Sequence, residues 1–325
     1  CFHPRRSRKL NKLRILFMGT PDFAASCLRA LVASGENIVG CVTGADRARG
    51  RGMKLTPTPV KSAALEAGIP VFQPATLRGE ELAELLISLS PDLIIVAAYG
   101  KLLPENVLSF PRFGCVNAHA SLLPKYRGAA PIQRAILAGE REIGVTAMKM
   151  EAGLDTGDMI LTEKFDIADT DDFGTVHAKL AEAGGRAMVR VCEMLHRTGE
   201  LPGEKQDDAL STYAEKITAE DMKLDFTHGA RDEVNRIRAF APAPGARTKM
   251  PNGKLLKIVS AAVCENPGNK APGEVFGASK RSFSVACADG AIEVFEVVPE
   301  GKGRMRAADL VNGRAVSDGD ILGAD

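Results

Sequence analysis

Apolar residues first gather at 13–18, a short run closed by Gly19-Thr20-Pro21-Asp22, and then return at helical spacing in Phe23, Cys27, Leu28 and Leu31. That succession predicts a strand, a tight turn and a helix. The alternation repeats, with strands expected at 38–42 and 71–72 and helices at 58–67 and 79–89. Residues 92–98 form an almost unbroken apolar run, suited to a strand covered on both faces. The next strand, 115–119, carries Asn117 and His119 two positions apart, and therefore on one face. Strands at 144–150 and 159–165 flank a Gly-rich turn that holds Asp155, and 172–197 has a helical period in Val176, Leu180, Ala187, Val191 and Leu195.

Strands and helices in this order predict an α/β domain over 13–198, with a doubly wound, mostly parallel, Rossmann-like sheet. Ligands of such sheets sit beyond the carboxyl ends of the strands, which is where Asn117 and His119 are expected. The polar stretch 199–215, with Gly199, Pro202, Gly203 and Asp207-Asp208, reads as a linker. Over 216–325 a helix at 232–240 gives way to short strands at 255–261, 273–278, 282–286 and 292–298, separated by Gly and Pro. This pattern predicts a small C-terminal β-barrel, OB-like in kind.

Composition narrows the class. At 325 residues and 45% hydrophobic content the chain can bury two cores. Lys and Arg number 42 against 41 Asp and Glu, so any nucleic-acid contact has to come from local patches and not from net charge. The seven cysteines are scattered and never closely paired, which argues against zinc or dithiol chemistry and predicts reduced thiols in a cytoplasmic protein. No apolar stretch approaches the roughly 20 residues of a membrane span. Residues 1–12 are basic and lack an opening Met; they are expected to be a disordered extension or a start-site artefact.

Singly, Asn117 reads as a buried amide, His119 as a hydrogen-bonded structural histidine and Asp155 as an Asx-turn former. Together an amide, an imidazole and a carboxylate are the groups needed to hold a formyl oxygen, steady a tetrahedral adduct and move a proton, and the set looks like a formyl-transfer site. The apolar Leu122-Leu123-Pro124 turn that follows Ser121 could form one wall of a flat aromatic ligand's pocket. Gly19-Thr20-Pro21-Asp22 lacks the second and third glycines of a dinucleotide fingerprint, which weakens any NAD reading. The loop 46–54 carries Arg47, Arg49, Arg51 and Lys54 directly after a parallel strand, so it is either a solvated face or a site for phosphate or an RNA acceptor end. Arg247, Lys249, Lys254 and Lys257 gather around Asn252-Gly253, a solvated hairpin tip or a contact to RNA backbone.

These residues resemble the methionyl-tRNA formyltransferases, within the wider formyltransferase family, over nearly all of 13–322. The resemblance is carried by Gly19-Thr20-Pro21-Asp22-Phe23, by the loop 46–54 running into Pro59-Val60-Lys61, by Ala98-Tyr99-Gly100 and by the block 117–133. It continues through 153–159, Ile237-Arg238-Ala239-Phe240 and Pro244-Gly245-Ala246. The resemblance implies 10-formyltetrahydrofolate as formyl donor, methionyl initiator tRNA as acceptor, and no metal. It also implies Asn117, His119 and Asp155 as the catalytic set, Ser121, Leu122, Leu123 and Pro124 as the folate segment, and Arg47 directed at the acceptor stem. The protein is expected to act as a monomer. The chain departs from the family in having no Trp: Ala243 stands where Trp is frequent, and Phe226 where an indole is common. Both changes touch tRNA binding more than chemistry.

Two rival readings remain. Formyltransferases for a small amine, such as a UDP-amino sugar, share this length and the 117–155 set, although the arginine-rich loop argues against them. A non-catalytic folate- or RNA-binding module on the same scaffold is opposed by the intact Asn117, His119 and Asp155.

Overall fold

The computed structural model describes residues 12–49 and 54–323. Arg51 and the expected extension, Lys12 apart, lie outside the described residues. In chain order the elements begin with β1 (Arg14–Gly19), α1 (Asp22–Ala33), β2 (Asn37–Val42), β3 (Arg47–Arg49), β4 (Lys54–Thr56), α2 (Pro59–Glu66), β5 (Val71–Phe72), α3 (Glu80–Leu89) and β6 (Leu93–Ala97). There follow α4 (Glu105–Leu108), β7 (Cys115–His119), β8 (Arg127–Gly128), α5 (Pro131–Leu137), β9 (Glu142–Lys149), β10 (Met159–Asp166) and α6 (Phe173–Thr198). The remainder holds β11 (Tyr213–Ala214), α7 (Ala230–Phe240), β12 (Ala246–Lys249), β13 (Leu255–Cys264), β14 (Val275–Phe276), β15 (Phe283–Ala286), β16 (Ala291–Pro299), β17 (Met305–Arg306) and α8 (Ala307–Asn312).

Packing divides the chain into two units. The first takes the chain up to Ala129, then 143–165 and 177–214; the second takes 130–142, 166–176 and 215–325. The first unit is built on a seven-stranded sheet of order β10-β9-β7-β6-β1-β2-β5. Pairings β1 with β2, β1 with β6, β2 with β5 and β6 with β7 are parallel. Strand β9 instead runs antiparallel to β7, so the sheet is Rossmann-like and mostly parallel. Ile15, Leu16, Phe17 and Met18 are each 0% exposed, as a strand flanked by neighbours and covered on both faces requires.

Helix α6 buries Leu180, Ala187, Val191 and Leu195 completely. Its Gly184-Gly185 pair costs about 1 kcal/mol per residue relative to Ala. The reason is close approach: a Cβ on Gly185 would lie 2.8 Å from the Ala30 Cβ of α1, and one on Gly184 3.0 Å from the Phe23 ring. Helix α2 starts on Thr58, whose hydroxyl accepts the Lys61 amide at 3.1 Å, with Pro59 at the first helical position. After α6 the polar stretch folds back on the first unit: a 3-10 turn at Asp208–Leu210 leads into β11, which pairs in parallel with β8.

In the second unit the strand order is β12-β13-β16-β15-β14, with β17 on β16, and every pairing is antiparallel. The earlier segments join this unit through α7. Buried Arg238 donates to the carbonyls of Asp171 and Ala168, both at 2.7 Å, and to Asn235 Oδ1 at 3.2 Å. A Cβ on Gly139, just past α5, would stand 3.0 Å from Asn235 Nδ2. The strand expected at 273–278 contracts to β14, while β12, β17 and α8 went unpredicted because elements of two to six residues show too little periodicity. Among the described residues no helix is long and apolar enough to cross a membrane.

Replacing the fully buried Leu180 by Ala should lower unfolding free energy by about 2–5 kcal/mol through lost transfer energy and a residual cavity. A urea titration followed by far-UV circular dichroism reads this, and an unchanged midpoint would contradict the packing described for α6.

Candidate active site

Strand β7 sits between β6 and β9, with Asn117 in register with Val96 and Met148, and His119 opposite Thr146. Its alternation puts both polar side chains on one side, at the carboxyl end of the strand. His119 is 6% exposed, and its Nε2 lies 2.9 Å from the Tyr126 carbonyl oxygen. A carbonyl can only accept, so Nε2 carries the proton of that bond. The other ring nitrogen, Nδ1, stands 3.6 Å from Asp155 Oδ2, across a pair whose side chains are 6% and 14% exposed. The sequence-predicted imidazole and carboxylate therefore converge, at a separation longer than a hydrogen bond and within ion-pair reach.

Asp155 is held from the backbone. It has φ +53°, a conformation that costs a non-glycine residue about 1–3 kcal/mol. Its Oδ2 accepts the Gly128 amide at 2.9 Å. Gly128 itself has φ +116°, and a Cβ there would meet the Tyr213 ring at 2.6 Å and the Ala214 carbonyl at 2.8 Å. Two residues earlier in the turn, the Tyr126 amide donates to Thr212 Oγ1 at 2.9 Å. The turn 126–128 thus presents a carbonyl to His119 and an amide to Asp155. Neither Tyr126 nor Gly128 was picked out as a site residue from the sequence; the signal was the glycine directly after Arg127.

The turn 121–124 is mostly engaged with itself. Ser121 is 0% exposed, its hydroxyl donates to the Lys125 carbonyl at 2.7 Å, and its carbonyl accepts Thr146 Oγ1 at 2.7 Å. That Thr146 hydroxyl also accepts the Leu123 amide at 3.1 Å, and the Leu123 side chain is buried. Ser121 and Leu123 therefore shape the turn, while Leu122 and Pro124 are half-buried and offer surface. Leu102, in the loop after β6, and Leu154, next to Asp155 in sequence, are exposed at 73% and 44%.

The basic loop leaves the sheet after β2. Its start is fixed where Lys61 Nζ donates to Asp46 Oδ2 at 2.7 Å and Gln73 Oε1 at 2.9 Å, while Gln73 Nε2 donates to Asp46 Oδ1 at 2.9 Å. The hydrogen bond from Lys61, followed by that from Gln73, holds the Asp46 carboxyl below the usual carboxylate range. Arg47 is exposed and opens β3, which pairs antiparallel with β4, so Arg49 and Lys54 lie opposite one another on a short ladder. In the second unit, Arg247 and Lys249 lie on β12, and Lys254 is exposed beyond the turn at Gly253, which has φ +77°. Arg247 Nη2 is engaged, donating to the Ala219 carbonyl at 2.6 Å.

A mostly parallel α/β unit with a polar cluster at the carboxyl edge of its sheet, followed by an antiparallel β unit, defines a Rossmann-like architecture with a second, all-antiparallel sheet. The chain belongs to the formyl transferase family: the model of the formyl transferase domain matches residues 12–192, and that of the formyl transferase C-terminal domain matches 216–315. It is 47% identical over 305 residues to the methionyl-tRNA formyltransferase of Methylococcus capsulatus, covering 94% of this chain and 98% of that protein. It is also 47% identical over 302 residues to that of Pseudomonas fluorescens, covering 93% and 94%. The family resemblance read from the sequence is borne out. Among solved structures, HypX from Aquifex aeolicus in complex with tetrahydrofolic acid shares the fold at a TM-score of 0.61 and 18% identity, over 93% of this chain and 47% of that one. The N-formyltransferase from Helicobacter canadensis does so at 0.58 and 17%, over 87% and 98%.

Gly128→Ala should be poorly tolerated, since its φ and the Tyr213 ring both oppose a side chain. A loss of about 1–3 kcal/mol in thermal unfolding is expected; a melting curve superimposable on wild type would show that the turn is not constrained as described.

Proposed function

We propose that this chain transfers a formyl group from 10-formyltetrahydrofolate to the α-amino group of methionyl initiator tRNA, for translation initiation. The observation that carries the reading is the 47% identity that runs through both units to relatives named methionyl-tRNA formyltransferase. The convergence of His119 and Asp155 supplies chemistry to match.

The donor fits the edge of the first unit. A folate presents a flat heteroaromatic ring, and the loop after β7 offers half-buried Leu122 and Pro124 close in sequence to His119. When bound, it supplies a formyl group carried on nitrogen. The neutral α-amine would attack the formyl carbon, forming the new C–N bond and moving charge onto the formyl oxygen; as the C=O bond re-forms, the bond from the formyl carbon to the donor nitrogen breaks and that nitrogen leaves with a proton. In this reading the Asn117 amide donates to that oxygen, a contribution of roughly 3 kcal/mol for a well-placed donor. With Nε2–H committed to Tyr126, His119 works through Nδ1. Asp155 steadies the ring when Nδ1 is protonated and, directly or through water, relays the proton lost by the amine to the departing nitrogen.

Recognition is assigned to the charged rims. Arg47, Arg49, Arg51 and Lys54 engage the acceptor stem. Arg247, Lys249 and Lys254 follow RNA backbone from the antiparallel sheet, which we read as an OB-like barrel. The protein is read as a cytoplasmic monomer. Consistent with an inert, reduced set of thiols, burial pushes Cys27, Cys41, Cys115 and Cys287 up to about 12.

Single-turnover transfer should fall roughly 10²–10³-fold in Asn117→Ala and in His119→Ala. Near wild-type rates in both, with the fold retained, would falsify these roles. Offering labelled donor to charged initiator tRNA, charged elongator tRNA and a UDP-amino sugar in parallel tests the acceptor: label on the sugar alone ends the tRNA reading. The KM for charged tRNA should rise with salt, and Arg47→Ala should reduce the slope of log KM against log salt by about 1. A KM indifferent to salt removes the proposed role of the loop.

A further inference from the structure

Gln206 lies in the stretch that reads as a linker, yet it is 5% exposed, and its whole side-chain amide is in use. Nε2 donates to two carbonyls, those of Asp155 and Gly157, both at 2.8 Å. Oε1 accepts from Arg127 Nε at 3.1 Å and Arg127 Nη2 at 2.9 Å, and the same Nη2 reaches Asp208 Oδ1 at 2.8 Å. All of these residues belong to the first unit.

The two sets of partners are the two sides of the candidate site. Residues 155–157 form the turn that carries the carboxylate, in a backbone conformation that Asp155 does not favour by itself. Arg127 precedes Gly128, whose amide holds that carboxylate at 2.9 Å. A single planar group therefore ties the Asp155 backbone to the strand that anchors the Asp155 side chain. A Gln that merely satisfied its own burial could choose any donors and acceptors. This one bridges the two segments whose separation sets where Oδ2 stands relative to His119 Nδ1.

We infer that Gln206 is a positioning residue for formyl transfer, holding the Asp155 carboxylate in place against His119 from a segment outside the sheet. The inference rests on the function proposed above. Gln206 touches neither substrate nor reacting atom in this account; it acts through Asp155.

Three proteins decide it: wild type, Gln206→Met, which keeps the volume and removes the amide, and Gln206→Glu, which can still face Arg127 but cannot donate to the two carbonyls. Formyl transfer to charged initiator tRNA is followed with saturating donor, and amide hydrogen exchange at Gly128 is measured on the same full-length proteins. The expected result is a kcat about 100-fold lower in both variants, with KM for tRNA and for donor within about twofold, and faster exchange at Gly128. Retained kcat, a loss confined to KM, or unchanged exchange at Gly128 overturns the inference, as does Gln206→Glu behaving like wild type. If wild type transfers no formyl group to charged tRNA, the functional reading fails. The positioning claim is then decided by exchange alone: faster exchange at Gly128 in Gln206→Met supports it, and equal exchange overturns it.

Discussion

The first unit turns on the hydrogen bonds that the turn 126–128 makes to its two neighbours, the Tyr126 carbonyl to the His119 ring and the Gly128 amide to the Asp155 carboxylate. An imidazole and a carboxylate with side chains 6% and 14% exposed have little water to solvate them, so their mutual geometry has to be enforced by the protein. Each has one fixed partner, and that leaves the facing atoms, Nδ1 and Oδ2, defined in position. The constraint spreads outward. Gly128 must be glycine, Tyr213 must lie where β11 puts it, and the stretch after α6 must return to the first unit so that β11 can pair with β8.

The part of this arrangement that is local in sequence was legible there. β7 is an apolar strand interrupted by an amide and an imidazole at alternate positions, and strand geometry alone places them on one side. The parallel core was legible for the same reason: runs such as Leu93–Ala97, buried throughout, tolerate no solvent face. Direction is different. Hydrophobic alternation is the same in either orientation, so the reversal of β9 against β7 left no mark in the pattern.

Contacts between distant polar residues were not legible. Gln206 meets Arg127 across 79 positions and the Asp155 carbonyl across 51, and nothing in a polar, Gly- and Pro-containing segment distinguishes a buried glutamine from a solvated one. The stretch 121–124 shows the converse. Its apolar residues Leu122, Leu123 and Pro124 suggested a wall for a flat ligand; in the fold Leu123 is buried with its amide held by Thr146, while Leu122 and Pro124 keep surface. A turn that carries a rigid wall has to spend some of its residues inward, and the sequence does not say which.

The buried His119 and Asp155 pair and the exposed cations lie in different dielectric surroundings, and that difference has consequences for how each responds to its environment. The His119 and Asp155 pair is shielded from solvent, where ionic strength has little purchase. Arg47 and Lys254 are exposed, so any charge interaction they make acts through water and is screened within about 8 Å at physiological salt. Rigidity follows the same division. The basic loop is tethered where it leaves the sheet, with Asp46, Lys61 and Gln73 joined and the Thr43 and Thr58 hydroxyls 2.8 Å apart, so its base is fixed while Arg47 at its start stays exposed. Lys61 is thereby consumed as an anchor and is removed from the set of cations free to meet phosphate. A base fixed by hydrogen bonds at both its strands holds the neighbouring sheet edge in place, and in catalysis generally a displacement near 1 Å at reacting groups costs about two orders of magnitude in rate.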